Sequence, residues 1–362
     1  GVRRSGNYRG FHLMKGGKRT VLAVVAILLT SSSSALAMSL KDAVRRATME
    51  HPAIGAALSN RKAIGYEVLQ AQGRFLPSVD LSAEIGGQVV HKPGSPPPAN
   101  RDLLPRRQVG LSVTQVIFDG YDREYDLYAR AARFDAATFR VLQASQIRAL
   151  QAIEAYIDMR RHSVVLDLAR RNVRRHKEIL STVRSVVAGG KAPQSDIAQT
   201  EQRLAAAQAT AVRIERLLAD TRAKFKQAVG VEPGKISRVG LPRNVPSSAT
   251  KAVRMAEKHN PQLLAAKVDI DAADFSAEQS KSAFAPTVAL QATGSYGEDI
   301  DGVRGTNRDV TGKVTLSWNL YNGNIKDNRV NELQARVAEA EYNYALQARQ
   351  VEEAVTRAYN CL

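Results

Sequence analysis

Gly190-Lys191 is the pair of residues that comes nearest to a phosphate-binding loop. Such a loop needs another glycine five residues earlier, and a Ser or Thr directly after the lysine to hold Mg²⁺. Ser185 occupies the first of these positions and Ala192 the second. The pair therefore does not predict a nucleotide site, and its glycine needs another explanation.

The sequence contains no recognisable motif for other catalytic or metal-binding chemistry. Cys361 is the only cysteine, which excludes an intramolecular disulfide and argues against a cysteine-based zinc site. There is no G-x-S-x-G motif and no dinucleotide-binding fingerprint. The histidines form no H-E-x-x-H or similar metal-binding pair; they are His12, His51, His91, His162, His176 and His259. We predict a protein that is not an enzyme and that holds no cofactor or metal.

The glycine-rich stretch is better explained as the tip of a helical hairpin. Residues 122–188 contain neither proline nor glycine, which predicts a helix roughly 100 Å long at about 1.5 Å per residue. Glycine ends this helix, and Pro193, at or near the first helical position, opens a second predicted helix at 194–229. That helix has a heptad pattern, which predicts a left-handed coiled coil. Its two repeating sets are Ile197, Leu204, Ala211, Leu218 and Phe225, and Thr200, Ala207, Ile214, Thr221 and Ala228.

Four segments alternate between apolar and polar residues, which predicts strands at about 78–90, 107–118, 287–297 and 309–320. The predicted apolar faces are Val79, Leu81, Ala83, Ile85 and Val89; Val109, Leu111, Val113 and Ile117; Val288, Leu290, Ala292 and Tyr296; and Val310, Val314, Leu316, Trp318 and Leu320. Aromatic residues cluster near the strand ends: Phe75, Phe118, Tyr121, Phe284, Tyr296, Trp318 and Tyr321. Membrane strands have this pattern, although a soluble antiparallel sheet with one wet face shows the same alternation. Because a closed barrel needs about eight strands, four would have to be part of a shared one, and three copies would supply twelve.

An internal repeat organises the chain. Matching blocks recur at an offset of 209 residues before the predicted loop between the strands, and at 203 after it. The matched positions include three pairs: Pro52 and Pro261, Pro77 and Pro286, and Gly120 and Gly323. We assign residues 38–230 to a first repeat, 231–248 to a linker and 249–362 to a second repeat that is incomplete. A complete second repeat would run to about residue 433, roughly 70 residues further.

The N-terminal residues have the pattern of an export signal. Lys15, Lys18 and Arg19 precede the short apolar run 21–29, and Ala35-Leu36-Ala37 fits a cleavage site. We predict that residues 1–37 comprise upstream residues and a signal peptide cleaved after Ala37. The formal charge of +17 falls to +11 without the six basic residues of this segment: Arg3, Arg4, Arg9, Lys15, Lys18 and Arg19. A basic chain could bind nucleic acid or an anionic surface, but its Arg and Lys residues are interspersed with acids on helices, so we expect no nucleic-acid partner.

The sequence resembles the outer-membrane efflux protein family, the TolC-type channels. The resemblance rests on the order of four features: the repeat, the paired prolines, the strand ends Phe118-Asp119-Gly120 and Tyr321-Asn322-Gly323, and the hairpin tip. The resemblance implies a mixed α/β membrane protein that forms a homotrimer. The trimer would have a twelve-stranded β-barrel in the outer membrane of a Gram-negative bacterium and a coiled-coil α-helical barrel in the periplasm. It also implies a passive exit duct without cofactors. The duct would serve a tripartite efflux or type I secretion system.

The partners implied by the resemblance are outer-membrane lipid, a periplasmic adaptor protein and an inner-membrane transporter of the ABC or RND class. The hairpin tip would contact the adaptor through Gly189, Gly190, Lys191, Ala192, Pro193, Ser195 and Asp196. Met38, and not a cysteine, directly follows the predicted cleavage site, which favours the type I secretion branch over the lipoprotein efflux branch. Two alternatives stay open at this point: a periplasmic adaptor, which would be extracted without detergent, and a structural coiled-coil protein of the envelope, which would show no conductance.

Overall fold

The computed structural model describes residues 38–90, 103–240, 242 and 245–361. The predicted signal peptide and its cleavage site lie outside these residues, as does the loop segment 91–102. The helices of the described part are α1 (Leu40–Met49), α2 (Pro52–Gly73), α3 (Asp122–Ala188), α4 (Gln194–Val229), α5 (Ala249–His259), α6 (Pro261–Lys281) and α7 (Ile325–Asn360). The strands are β1 (Ser78–Val89), β2 (Leu103–Phe118), β3 (Thr287–Glu298) and β4 (Thr306–Ser317). None of the described helices combines the length and the apolar character needed to cross a membrane.

The order of elements repeats along the chain. Two helices, two strands and a long helix form α1-α2-β1-β2-α3, and the same order returns as α5-α6-β3-β4-α7. Residues 90–102 separate β1 from β2 whereas residues 299–305 separate β3 from β4, so the first connection is longer by 13 − 7 = 6 residues. This accounts for the change of offset from 209 to 203.

Equivalent hydrogen bonds cap the helix N-termini of the two repeats, 209 residues apart. Ser39 Oγ accepts a hydrogen bond from the N–H of Asp42 at 3.1 Å, and Ser248 Oγ accepts one from Lys251 at 3.2 Å. At the next helix start His51 and Asn260 are the capping residues, each followed by a proline at the first helical position. Pro52 and Pro261 are favourable there because that position needs no backbone donor; each thus marks the start of a helix. Both repeats therefore use the same devices to start their helices.

The four strands form one antiparallel sheet in the order β1-β2-β3-β4. Their register places the apolar side chains of all four strands on one face and the polar side chains on the other. One apolar row across the sheet contains Leu81, Leu111, Gly294 and Val310, and the polar row beside it contains Asp80, Ser112, Thr293 and Thr311. The alternation read from the sequence is thus continuous across the sheet.

No other described part of the chain covers this sheet. On its apolar face Leu81 is 74% exposed, Ile85 83% and Val310 90%. In the described residues β1 and β4 each pair with only one other strand, so each leaves an edge of backbone donors and acceptors. An apolar face of this extent normally marks a surface that contacts a partner or a membrane.

The strand bounds differ from the prediction in two places. β2 begins at Leu103 instead of 107, although Pro105 lies within it; β3 pairs with β2 only from Arg107 onward, so the proline lies where β2 has a single neighbour. β4 covers Thr306–Ser317 and not 309–320, because its partner β3 begins at Thr287 opposite Ser317. Trp318 and Leu320 consequently lie beyond the strand.

The pairing of β2 with β3 is irregular at one position of the predicted apolar face. Val116 pairs with Ala289 and Phe118 with Val288, which leaves Ile117 as an extra residue between them. This β-bulge places Phe118, and not Ile117, opposite an apolar residue of β3. Bulges of this kind bend a strand and redirect its side chains near functional or structural junctions.

The helices pack around α3. α4 packs along it in an antiparallel hairpin, with Thr200, Ala207, Thr221, Phe225 and Ala228 of its heptad buried. Farther along α3, Tyr156 is completely buried beside Phe225, and its hydroxyl donates to the Met38 carbonyl at 2.7 Å. α1 and the segment after α4 meet here, so one buried tyrosine holds the start of the described chain and the linker against the hairpin.

The two strand-end glycines provide a matched pair of variants. Gly120 and Gly323 both have positive φ, +68° and +70°, but a Cβ at Gly120 would lie 2.5 Å from the Ala285 Cβ whereas a Cβ at Gly323 would meet nothing within 4 Å. Gly323→Ala should cost about 1–2 kcal/mol for the left-handed backbone. Gly120→Ala should cost about 1–3 kcal/mol more because of overpacking. Thermal unfolding of the two variants checks the order, and equal midpoints would contradict it.

Candidate functional site

The strands and helices meet at a junction where both repeats cross from helix to strand and back. Pro77 directly precedes β1 and Pro286 directly precedes β3. After β2 and β4 the chain turns through two consecutive residues of positive φ, Gly120-Tyr121 and Gly323-Asn324. The predicted motif residues therefore lie where the chain changes direction, except Pro52 and Pro261, which start helices farther away.

Arg123, in the first turn of α3, connects the parts of this junction. It is 8% exposed. Its Nε donates to Asp119 Oδ2 at 2.6 Å, and its Nη1 donates to the Val116 carbonyl at 3.0 Å. The guanidinium also lies over the Phe75 ring, 5.1 Å from its centroid. One buried cation thus ties the end of β2 to the crossover before β1, and its pairing with Asp119 offsets the cost of burial.

The second repeat makes the same contacts with different residues. Lys326 stands 203 residues after Arg123; its Nζ donates to the Asn319 carbonyl and lies 5.9 Å from the centroid of Phe284. Side-chain donors on the strand ends also correspond: Gln115 Nε2 donates to the Phe75 carbonyl at 3.1 Å, and Trp318 Nε1 donates to the Phe284 carbonyl at 3.0 Å. Both crossovers are therefore held by a strand-end donor and a cation from the following helix.

A charged network extends the junction along the first turns of α3. Arg74 donates to Asp122 at 2.5 Å and to Asp126 at 2.8 Å, and Arg130 donates to the other oxygen of Asp126 at 2.8 Å. Gln279 of α6 donates to the other oxygen of Asp122 at 3.0 Å. The network thus joins α2, α3 and α6.

Asp126 is the acid at the centre of this network. Burial opposes its ionisation, but the hydrogen bonds from Arg130 and Arg74 outweigh burial and hold its pKa below the ordinary value. For Arg74 burial opposes the charge, while the hydrogen bonds to Asp122 and Asp126 raise its pKa. Asp126 and Arg74 therefore stay charged across the physiological range.

A cavity of about 710 Å³ lies between the junction and the polar face of the sheet. Its lining combines charged, hydroxyl and backbone groups, so it would hold water more readily than an apolar ligand. The polar residues that line it are Arg74, Ser78, Thr114, Asp119, Asp122, Arg123, Ser282, Thr287, Ser317 and Asn319.

The hairpin tip is the second candidate region. Gly189 caps α3, and Gly190 follows with φ +73°. The N–H of Gly190 donates to Val187 at 2.9 Å and that of Lys191 to Val186 at 3.1 Å, which is the Schellman pattern for ending a helix. Pro193 precedes the first residue of α4 as its N-cap, one position before the N1 site at which such a proline is usual. The backbone pattern thus explains Gly190 without any ligand.

The tip residues lie together but make few side-chain contacts. Gly189, Gly190, Lys191, Pro193 and Ser195 are exposed, whereas Ala192 and Asp196 are half-buried. Just behind them Arg184 of α3 donates to Glu201 of α4 at 2.6 Å, an exposed link between the two helices. The tip is therefore an exposed surface of backbone and small side chains at the end of the helical hairpin.

Sequence reasoning missed the junction cations and acids. Arg123 and Lys326 could have been found, because they are cations at equivalent positions of the repeat. Arg74 and Asp126 have no such signal, since nothing in their spacing of 52 residues indicates contact.

Of the seven aromatic residues predicted near the strand ends, six surround the junction. Tyr296 lies instead toward the loops between the strands. Among the described residues no group of three or more His, Cys, Asp or Glu side chains could hold a metal ion.

Comparisons with known proteins agree with this arrangement. The family model described as outer membrane efflux protein matches residues 43–231 and 252–362. The outer membrane efflux protein BepC of Brucella suis biovar 1 (strain 1330) is 22% identical over 355 residues, which cover 97% of this chain and 76% of BepC. The proteases secretion protein PrtF of Dickeya chrysanthemi is 24% identical over 300 residues, which cover 76% of this chain and 62% of PrtF. The crystal structure of CusC, a protein that forms a transmembrane channel, superposes with a TM-score of 0.75 at 12% identity, covering 89% of this chain and 75% of CusC.

Asp126→Asn should destabilise the junction in a way that depends on pH. Because the pKa of Asp126 is lowered on folding, its stabilisation is complete above the ordinary value of 3.8 and is lost as the pH falls from there through the lowered pKa. At neutral pH the variant should lose about 1–3 kcal/mol, the usual worth of hydrogen bonds to charged groups. Thermal unfolding at a series of pH values should show the wild type and variant converging in acid. Asp135→Asn, at an exposed position of the same helix, is the control; an equal loss there, or a difference at Asp126 that does not shrink in acid, would contradict the assignment.

Proposed function

This chain belongs to the outer membrane efflux protein family and acts at the outer membrane as an exit duct; from this premise we propose that three copies assemble to form the channel. The observation that supports this most strongly is the four-stranded sheet with one exposed apolar face, one polar face and two unpaired edges.

The two edges are suited to pairing with each other in a neighbouring copy. The strands alternate in direction from β1 to β4, so β4 of one copy meets β1 of the next in the antiparallel sense. Three copies joined in this way form a ring of twelve strands, which leaves room for an aqueous lumen. The ring also satisfies the edge groups, which a bilayer could not do.

The two faces of the sheet determine its orientation in such a ring. The apolar face contacts lipid and the polar face lines the lumen, as in other membrane barrels. Around the junction the exposed aromatic residues lie at one end of the strands, where an interfacial girdle is expected; they are Phe75, Phe118, Tyr121, Phe284, Trp318 and Tyr321. The junction then lies at the inner surface of the membrane, and the long helices continue into the periplasm.

The helices support a second, α-helical section of the duct. α3 has 67 residues, which corresponds to about 100 Å at 1.5 Å per residue. Side by side in three copies, the paired helices would form a coiled-coil barrel that carries the lumen through the periplasm. The hairpin tip ends this section. We propose that Gly189, Gly190, Lys191, Ala192, Pro193, Ser195 and Asp196 contact a periplasmic adaptor.

The proposed partners follow from the type of duct. The described part of this chain has no nucleotide-binding loop, so an inner-membrane transporter of the ABC or RND class would supply the energy. The likeness to PrtF, whose name assigns it to protease secretion, supports a type I secretion system, and the likeness to BepC, named as an efflux protein, supports efflux. The alternatives of an adaptor or a structural coiled coil lose support because the family match extends over both repeats.

Two adjacent residues of β2 test the orientation of the faces. Leu111 lies in the middle of the apolar face and Ser112 in the polar row beside it. Leu111→Arg should abolish or strongly reduce membrane assembly, since arginine on a lipid face near the midplane costs about 2–4 kcal/mol per copy. Ser112→Arg should assemble normally because it points into water. The fraction of protein that migrates as a heat-modifiable oligomer in the outer-membrane fraction measures both.

The proposal fails if the two variants behave alike. Normal assembly of Leu111→Arg would mean that the apolar face does not contact lipid. Selective loss of assembly with Ser112→Arg would mean that the faces are reversed.

A further inference from the structure

We propose that Asp80 and Asp309, on the polar face of the sheet, give the membrane section of the duct a preference for cations. This inference rests on the proposed function, because it requires that the polar face line the lumen. The whole chain has a formal charge of +17, which by itself would favour anions. The proposal therefore assigns the ion preference to two residues of the lumen wall and not to the net charge.

On the described strands the polar face carries few charges, and the register determines which they are. Counted from the junction toward the loops between the strands, they are Lys313, Asp80, Asp309, Glu84 and Arg106. Glu84 and Arg106 form an ion pair at 3.4 Å and largely cancel each other. Three isolated charges remain, of which two are acidic.

No cation within the described residues pairs with either Asp80 or Asp309. The row of Asp309 consists otherwise of Ser82, Gly110 and Ser295, and the hydroxyl of Thr311 donates to Asp309 at 2.9 Å. Asp80 is exposed, and its row contains only hydroxyl residues. Within one copy, therefore, neither carboxylate has a local countercharge.

Lys313 does not cancel Asp309. The two residues lie four positions apart on β4, which is about 14 Å along a strand, so an ion beside Asp309 is closer to that carboxylate than to Lys313 and interacts with it more strongly. Lys313 is also at the junction end of the face. The lumen thus has a positive position at the junction and a negative section beyond it.

The nearest arginine to Asp309 in sequence, Arg308, lies on the opposite face. It is in the row of Tyr296, and its guanidinium lies 5.6 Å from the centroid of that ring. Arg308 therefore adds to the net charge of the chain but not to the charge of the lumen wall. Three copies would bring three pairs of Asp80 and Asp309 around one lumen, the arrangement by which rings of carboxylates select cations.

The test is the potassium-to-chloride permeability ratio, measured from reversal potentials of the full-length protein in planar bilayers under a KCl gradient at low ionic strength. One carboxylate roughly 10 Å from an ion in water changes its local concentration by about twofold, and three copies act together. Asp309→Asn should therefore lower the ratio by at least about twofold, and the double variant with Asp80→Asn should lower it further. Arg308→Gln is the matched control and should leave the ratio unchanged, although it removes a full charge from the adjacent residue.

The outcomes separate this inference from the proposed function. Conducting oligomers whose ratio does not change with either aspartate would overturn the inference and leave the duct intact. A ratio that responds to Arg308→Gln and not to Asp309→Asn would overturn it too, because the opposite face would then line the lumen. A wild-type oligomer without conductance would overturn the proposed function itself. The oligomer mass of each variant is measured alongside, and Asp309→Ser provides a second neutral side chain if Asp309→Asn does not assemble.

Discussion

A strand at the edge of a sheet leaves backbone donors and acceptors unpaired, and this chain has two such edges, β1 and β4, on a sheet of only four strands. In water an edge of this length invites association, and in a bilayer every unpaired group costs several kcal/mol. The apolar face adds the same requirement, because Leu81, Ile85 and Val310 remain largely exposed. One constraint, the completion of this sheet by other copies, accounts for the membrane location, the trimer and the lumen that we propose.

The junction connects that sheet to the helices with a rigid arrangement that each repeat carries. Arg123 and Lys326 reach back from the start of a long helix to the end of the preceding strand, while Gln115 and Trp318 hold the crossover backbone. The first repeat adds the network of Arg74, Asp122 and Asp126. A lumen that continues from strands into helices needs the two sections to stay aligned, and buried, charge-assisted hydrogen bonds suit this role because their geometry is restrictive. The two repeats therefore share this framework, but the cation is an arginine in the first repeat and a lysine in the second.

Much of this fold follows from local pattern, and the remainder depends on contacts distant in sequence. The absence of proline and glycine from 122–188 indicates a long helix, and a period of two indicates each strand. The bulge at Ile117 and the extra residues of β2 from Leu103 could not be read in this way, since pairing with β3 decides the bulge and pairing with β1 decides the extension. Gly190 indicates a helix end by its residue type alone, whereas the role of Asp126 depends on its contact with Arg74, 52 residues away in the sequence. The pairing of Arg308 with Tyr296, which keeps a charge off the polar face, likewise needs the register.

Cysteine cross-linking between β1 and β4 tests the completion of the sheet most directly. In a variant with Cys361 replaced by serine, Ser82→Cys would be combined in turn with cysteines at Thr311, Lys313 and Thr315. Within one chain β1 and β4 are separated by two strands, about 14 Å at the usual spacing, which is too far for a disulfide. We predict that oxidation in membranes links copies into covalent trimers for at least one pair, and that each single cysteine fails to do so. Monomers from every pair, with the protein folded and in the outer membrane, would contradict the account.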